Sequence, residues 1–424
     1  MSDMCIMPAN LTGSVSVPTS KSVSHRAVIC ASLAEGTSKL SGVLVSDDLI
    51  ATIAAMEAFG AIIRQEDGNL IITGTDCKKP TIHVIDCNES GSTLRFLIPL
   101  GLNGHTTNFT GRGKLVERPL DDYFNILDEQ NITYQTTDGH LPLGVTGVLK
   151  PGNFHLRGDV SSQFVSGLLF ALPRLAGDSS IIITTEMESK GYIDLTLSML
   201  ARFGITIINQ NYRKFLVAGN QKYKSTDYHA EGDYSQVAFW LAAGILGSPI
   251  CATGLNPHSL QGDKVIFNLI KEMGGKLTQG VDSIEARPAI TKGIVIDASQ
   301  CPDLVPILAV LAAVSDGETQ IIRAGRLRIK ECDRLKAITQ ELNKLGADVE
   351  EHEDSLTIHG RRCLTGGVVD SWHDHRIAMA LAIAAIACQQ PVTIKHSECV
   401  SKSYPEFWND FRMLGGKINE RHVG

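Results

Sequence analysis

Six times along the chain a segment of helical periodicity ends in a glycine-type cap and runs into a short β-branched strand. The copies read EAFGAII, DEQNITY, ARFGITI, KEMGGKL, NKLGADV and RMLGGKI. Their cap positions are Gly60, Asn131, Gly204, Gly274, Gly346 and Gly415, spaced 71, 73, 70, 72 and 69 residues apart. A fixed period of this length means that six copies of one unit build the chain. Asn131 fits the series, because the left-handed conformation at a helix C-cap suits Gly best and Asn next. After the cap the strand turns back through Asp67-Gly68, Asp138-Gly139 and, less tightly, residues 352–355.

Each unit holds a second helix that is apolar nearly all round, predicted at residues 26–33, 94–102, 164–175, 237–246, 304–314 and 377–388. Helices without a polar face are buried. Each set of three units is therefore expected to bury three apolar helices beneath strands and amphipathic helices, giving two α/β domains. The polar stretch 223–229 marks the break. The predicted division joins residues 1–15 to 228–424 as one domain and leaves 16–227 as the other, with the first dozen residues pairing with the C-terminal half.

The starts of the apolar helices carry the unusual residues: Ser20-Lys21-Ser22, Ser90-Gly91-Ser92, Ser161-Ser162-Gln163, Asp233-Tyr234-Ser235, Cys301-Pro302-Asp303 and Asp374-His375-Arg376. Ser and Asp at such positions serve first as N-caps, and for Asp233 and Ser235 capping suffices. Elsewhere the free N–H groups of a helix start, flanked by cations, suit a phosphate or carboxylate.

The densest charge lies at 326–335, RLRIKECDRL, with six charged side chains in ten residues ahead of a helical pattern. Lys330 and Arg334, four residues apart, are expected on one face of the first helical turn, where the backbone dipole disfavours cations. Two readings stand: a surface ion-pair network through Glu331 and Asp333, or an anion site.

Composition narrows the partners. The formal net charge is -7, so any anionic ligand needs a local basic cluster, and no general attraction to nucleic acid or anionic membrane is expected. The first ten residues, MSDMCIMPAN, lack a signal peptide's basic and long apolar regions, and the longest apolar run, 377–388, is too short to span a bilayer. A cytoplasmic location is expected. The ten cysteines form no CxxC pair and no Cys/His cluster at metal spacing, so free thiols and no metal site are expected.

Further motifs join the helix starts: Arg26 one turn after Ser22, Arg95 one turn after Gly91, Arg118 in ERPLDD, Ser189 in SKGYID, and Lys402 in SKSYPEFW. From PTSKSVSHR to KSYPEFW, the constellation resembles the 5-enolpyruvylshikimate-3-phosphate synthase family. The resemblance implies two inside-out α/β domains of three repeats each, an active site in the cleft between them, a monomer, and no metal or organic cofactor. It also implies transfer of the enolpyruvyl group of phosphoenolpyruvate to the 5-hydroxyl of shikimate 3-phosphate in aromatic amino acid biosynthesis.

By the same resemblance, Ser22, Arg26, Ser161, Ser162, Gln163 and Ser189 hold shikimate 3-phosphate, with Asp303 and Lys330 at its hydroxyls. Lys21, Gly91, Arg118, Gln163, Arg334, Arg376 and Lys402 hold phosphoenolpyruvate. Asp303 takes the role of general base and Glu331 that of proton donor, with Lys21 and His375 near the reacting atoms. Three positions depart from the family pattern: Glu89 where Asn is common, Phe96 where Pro is common, and Arg326 where Asn often contacts the shikimate ligand. They bear on glyphosate sensitivity, which depends on the space around Gly91. The related UDP-N-acetylglucosamine enolpyruvyl transferases carry a Cys in the loop that reads GRGKLVERPLDD here, without one. A non-catalytic relative is disfavoured by intact Lys21, Asp303, Glu331 and His375. Cations on both halves are expected to hold the free protein open until a ligand draws the halves together.

Overall fold

The computed structural model describes residues 2–77 and 84–422. It divides into two compact units, Thr19–Ala230 (the inner unit) and Met1–Pro18 with Glu231–Gly424 (the split unit). In the inner unit the helices are α1 (Lys21–Leu33), α2 (Asp47–Ala58), α3 (Gly91–Gly101), α4 (Asp121–Glu129), α5 (Ser162–Ala171) and α6 (Lys190–Arg202). The split unit continues with α7 (Tyr234–Leu246), α8 (Ile266–Glu272), α9 (Val305–Ala313), α10 (Arg334–Lys344), α11 (His375–Ala384) and α12 (Phe407–Met413).

The odd-numbered helices are the six apolar ones, and they are buried along nearly their whole length. The even-numbered helices bury one face: α10, for example, buries Leu335, Ala337, Ile338 and Leu342 and leaves Lys336 and Gln340 outside. None of the helices among the described residues is long and apolar enough to cross a membrane. Each unit has its own core, one built around Leu94, Leu97, Phe164 and Leu168, the other around Trp240, Ile307, Leu311 and Leu381.

Six four-stranded sheets repeat one order among the described residues. An edge strand lies parallel to a central strand, which is followed by two antiparallel neighbours, as in Val84–Asp86, Asn103–Thr110, His140–Val148 and Thr133–Thr137. In four sheets the edge strand directly precedes the buried helix of its own repeat. The other two have exchanged theirs: Gly13–Ser16 runs into α1 yet pairs with Ile250–Thr253 of the split unit, and Tyr228–His229 runs into α7 yet pairs with Thr37–Ser41 of the inner unit. Ser2–Met7 fills the last sheet, lying between Val392–Lys395 and Lys417–His422.

All six cap residues have positive φ: 103° at Gly60, 53° at Asn131, 82° at Gly204, 92° at Gly274, 89° at Gly346 and 98° at Gly415. Asp67-Gly68 and Asp138-Gly139 turn back with positive φ at both positions, as two-residue hairpins require. The third repeat makes the same turn with Asn211-Tyr212, at φ 52° and 56°, which its sequence does not advertise.

At Gly346 a Cβ would also stand 2.9 Å from Thr365 Oγ1. Gly346→Ala is therefore expected to cost about 1–2 kcal/mol, whereas Asn131→Gly should change stability by less than about 1 kcal/mol. Thermal denaturation checks both. An unchanged midpoint for the alanine variant would show that the cap is not under this constraint.

Candidate active site

In the inner unit the predicted residues gather at the first turns of the buried helices. Lys21 opens α1 and pairs with Asp48 of α2, Nζ to Oδ2, at 2.7 Å. Gly91 opens α3 under the cap of Ser90, whose Oγ accepts from Thr93 N at 3.1 Å. A Cβ at Gly91 would lie 2.8 Å from Arg118 Nη1 and 3.5 Å from Gln163 Oε1. Glycine thus lets two polar side chains approach the helix start. Arg118, extended before Pro119 at φ -70° and ψ 137°, is buried.

Ser161 caps α5, accepting from Gln163 N at 3.3 Å, and leaves Ser162 as the first helical residue. Gln163 is held at both ends of its amide: Arg95 Nη1 donates to its oxygen at 3.0 Å, and its nitrogen donates to Ser92 Oγ at 3.0 Å. Ser189, at the start of α6, is buried with φ 53°. Arg26 is 2% exposed and donates to Ser22 O at 2.7 Å, Thr196 Oγ1 at 2.8 Å and Tyr192 O at 3.0 Å. It braces α1 against α6, and only its remaining donors are left for a ligand. Its guanidinium also lies 5.1 Å from the Phe96 ring centroid, which gives that residue a packing role.

The split unit concentrates charge. Asp303 lies in a short 3-10 turn ahead of α9, with Arg376 Nη2 at 2.9 Å, Arg334 Nη1 at 3.0 Å and Lys330 Nζ at 3.7 Å. Arg334 is 1% exposed and also meets Asp374 Oδ2 through Nε at 2.7 Å and Glu331 Oε2 through Nη2 at 2.7 Å. Asp374 caps α11 as well, accepting from Arg376 N at 2.8 Å. One buried carboxylate therefore orients the Arg334 guanidinium and caps the helix that carries Arg376. His375 is buried beside it, Nδ1 lying 3.9 Å from Asp374 Oδ1.

Arg376 Nη2 donates to Ser235 Oγ at 3.1 Å, and Gln236 Nε2 to Ser403 Oγ, next to the buried Lys402, at 3.1 Å. The start of α7 thus does more than cap. Asp233 does accept from Ser235 N and Gln236 N, as expected, but the next two side chains reach the neighbourhood of the predicted cations. Arg326 donates to Ser299 O at 2.7 Å.

One expectation about the charged stretch is overturned. Lys330 is not on a helix with Arg334: it is extended at φ -86° and ψ -153° after a 3-10 turn, Gly325–Ile329, and α10 begins only at Arg334. The reason is Asp333, whose carboxylate accepts from Lys336 N at 3.1 Å and so fixes the helix start one residue ahead of Arg334. The conflict between a cation and the helix dipole is resolved by the three carboxylates around Arg334. Both readings of the stretch apply to part of it, since Arg328 forms an outer network with Asp333 at 2.9 Å and Glu351 at 2.6 Å.

Sequence reasoning named Asp374 and Ser235 only as parts of helix starts, and it passed over Asp48 and Gln236. The acidic N-terminal turn Ser46-Asp47-Asp48 was the available signal for Asp48. The buried Cys332 donates its thiol to Asp374 Oδ2 at 3.6 Å, and burial raises its pKa, so it is no nucleophile. No group of three His, Cys, Asp or Glu side chains among the described residues stands ready for a metal.

Electrostatics separates the groups. Burial alone would raise Asp303, but Arg376, Lys330 and Arg334 together hold its carboxyl well below the usual range. Desolvation lowers Lys330 to about 8 against the opposing pull of Asp303, although 30% of the side chain remains accessible.

A fold of six repeats in two α/β units, one with helix starts bearing hydroxyls, amides and cations and the other with a paired-carboxylate cluster, suits an enzyme of small anionic substrates. Among solved structures, EPSP synthase from Acinetobacter baumannii matches with a TM-score of 0.84 and 27% identity over 100% of both chains. The enolpyruvyl transferase NikO from Streptomyces tendae shares the fold, with a TM-score of 0.80 at 18% identity.

The family model of EPSP synthase (3-phosphoshikimate 1-carboxyvinyltransferase) matches residues 6–411. Proteins named 3-phosphoshikimate 1-carboxyvinyltransferase from Clostridium kluyveri and Clostridium novyi are 55% and 53% identical, each over 100% of both chains. The chain belongs to the EPSP synthase family.

Because the folded pKa of Lys330 lies below its ordinary 10.5, the unfolded chain binds more protons there between about pH 8 and 10.5. This residue's contribution to stability therefore rises with pH across that window. In a carbon-13 lysine titration one ε-carbon is expected to titrate near pH 8, and Asp303→Asn, by removing a negative charge, should move it lower. Movement upward would contradict the pairing.

Proposed function

We propose that this chain transfers the enolpyruvyl group of phosphoenolpyruvate to the 5-hydroxyl of shikimate 3-phosphate, releasing phosphate by addition and elimination. The observation that carries this reading is the cluster in which Arg334 joins Asp303 to Glu331, at 3.0 and 2.7 Å. It places two carboxylates of different surroundings at one arginine, in a chain of this family.

The chemistry asks for two proton transfers. In the addition, Asp303 takes the proton of the attacking hydroxyl while Glu331 gives one to the methylene carbon, and the new C–O bond forms at the carbon bearing the phosphate. In the elimination the methyl group returns a proton, the bond to the phosphate oxygen breaks, and the double bond re-forms. Lys21, Arg118, Arg334, Arg376 and Lys402 hold the donor and stabilise the departing phosphate, with Gly91 and Gln163 at the helix starts. Ser22, Arg26, Ser161, Ser162 and Ser189 take the acceptor, and Asp303 and Lys330 its hydroxyls. His375 stands by the reacting atoms.

Phosphate release with both substrates tests the reaction. Asp303→Asn and Glu331→Gln keep volume and remove proton transfer, so losses of roughly 100-fold or more are expected with the fold intact. Near-normal turnover in either variant would end the role given to that residue.

The division of ligands has its own test. Arg118→Ala and Lys402→Ala are expected to weaken phosphoenolpyruvate far more than shikimate 3-phosphate in calorimetry, and equal losses for both ligands would contradict it.

A further inference from the structure

His25, in the SHR motif at the start of the chain's first buried helix, has no part in the reaction described above, yet it is fully buried within the inner unit. Its Nδ1 lies 2.7 Å from Thr52 Oγ1 of α2. Thr52 Oγ1 lies 2.7 Å from Thr93 Oγ1 of α3, and Thr93 Oγ1 donates to Ser90 Oγ at 2.8 Å. Ser90 is the residue that caps α3 directly ahead of Gly91.

Proton counting gives this chain a direction. Each hydroxyl has one proton, so if Thr93 donates to Ser90, then Thr52 donates to Thr93 and His25 must carry its proton on Nδ1. Nε2 is then a bare lone pair, and it is buried with no hydrogen-bond partner. The opposite polarity would place an N–H at Nε2 with nothing to receive it, the costlier arrangement for a buried donor. Burial lowers the imidazole to about 3, with Lys21 and Arg26 adding to that and Asp48 opposing it, so the ring is neutral and has a single proton to place.

The relay ties together parts that carry separate donor contacts. Lys21 is on α1 with His25, its partner Asp48 is on α2 one turn before Thr52, and the Asp48 carbonyl also lies 3.4 Å from Thr93 Oγ1. Gly91 begins α3, where a Cβ would stand 2.8 Å from Arg118 Nη1, so a side chain there would displace that guanidinium. A shift of α3 by a fraction of an ångström changes that approach.

We propose that His25, Thr52 and Thr93 are positioning residues for the donor: their one-directional relay sets the start of α3, so that Gly91 and Arg118 meet the donor's anionic groups in register with Lys21. The proposal rests on the donor site described under the proposed function. Recognition of the acceptor, through Ser161, Ser162 and Ser189 with Ser22 and Arg26 of α1, makes no use of Thr52 or Thr93.

Thr52→Val keeps the volume and breaks the relay. It is expected to raise the KM for phosphoenolpyruvate by about five-fold or more, with the KM for shikimate 3-phosphate within about two-fold of the parent. Thr52→Ser restores the hydroxyl and should return the donor KM to the parent value. Equal effects on both substrates, no effect, or failure of serine to rescue would overturn the proposal. Should Thr52→Val not fold, nitrogen-15 NMR of the parent protein decides: Nδ1 is expected to be protonated and Nε2 bare, without change between about pH 5 and 8. A protonated Nε2, or a titration in that range, overturns the relay. If instead Arg118→Ala leaves donor affinity intact, the donor-site reading itself has failed, and the NMR result still stands on its own.

Discussion

A helix that is apolar on every side can offer chemistry only at its ends. That constraint shapes this protein: six such helices are buried, and Lys21, Ser22, Gly91, Ser161, Ser162, Gln163, Asp303, His375 and Arg376 of the candidate site sit in the first turn of one of them or in the loop just before it. Unpaired N–H groups at those turns favour anions, and the side chains most compatible with capping, Ser and Asp, are the ones that can also bind phosphate or move protons. Folding and function draw on the same positions, so a residue such as Asp374 caps α11 and clamps Arg334 with a single carboxylate.

The two units house their buried cations differently. In the inner unit Arg26 and Arg95 donate to carbonyls, a hydroxyl and an amide oxygen, and they rest on the rings of Phe96 and Phe164. The hydrogen-bond partners of Arg26 are neutral, which suits a residue assigned to a phosphate-bearing ligand. In the split unit Arg334 and Arg376 face carboxylates instead, and breaking one member of such a buried set strands the others without a partner. The carboxylates given proton-transfer roles are thereby held at fixed points against fixed charges, and the local field on Asp303 depends on what else those arginines bind.

The repeats, the six caps and the six buried helices were legible because each rests on a local rule: a left-handed residue after a helix, or a helix with no polar face. The chemistry at the helix starts was legible as residue types, and the family resemblance supplied their roles. What could not be read were partnerships between elements far apart in sequence. Lys330 was placed on a helix because periodicity continues through the charged run, and nothing local says that the Asp333 side chain takes over the first backbone N–H groups and excludes it. Ser235 looked like a cap alone because its second partner, Arg376, is 141 residues away. Asp48 and Thr52 were overlooked for the same reason, since α2 reads as an ordinary amphipathic helix.

Connectivity adds a last link between fold and site. The exchanged strands, Gly13–Ser16 and Tyr228–His229, lead with no intervening element into α1 and α7. On the split-unit side Val17 N donates to Thr253 O at 3.0 Å, Gly232 N to Gly254 O at 3.1 Å and Asp233 N to Pro18 O at 2.9 Å, so both segments leave a hydrogen-bonded frame. Glu231 strengthens it by accepting from Asn256 Nδ2 at 2.6 Å and Gln261 Nε2 at 2.9 Å. Lys21 stands three residues beyond Pro18, and Ser235 four beyond Glu231. With so few rotatable bonds between Glu231 and Ser235, this frame fixes the first turn of α7 within the split unit, so the strand that leads into a site helix also helps to set where that helix begins.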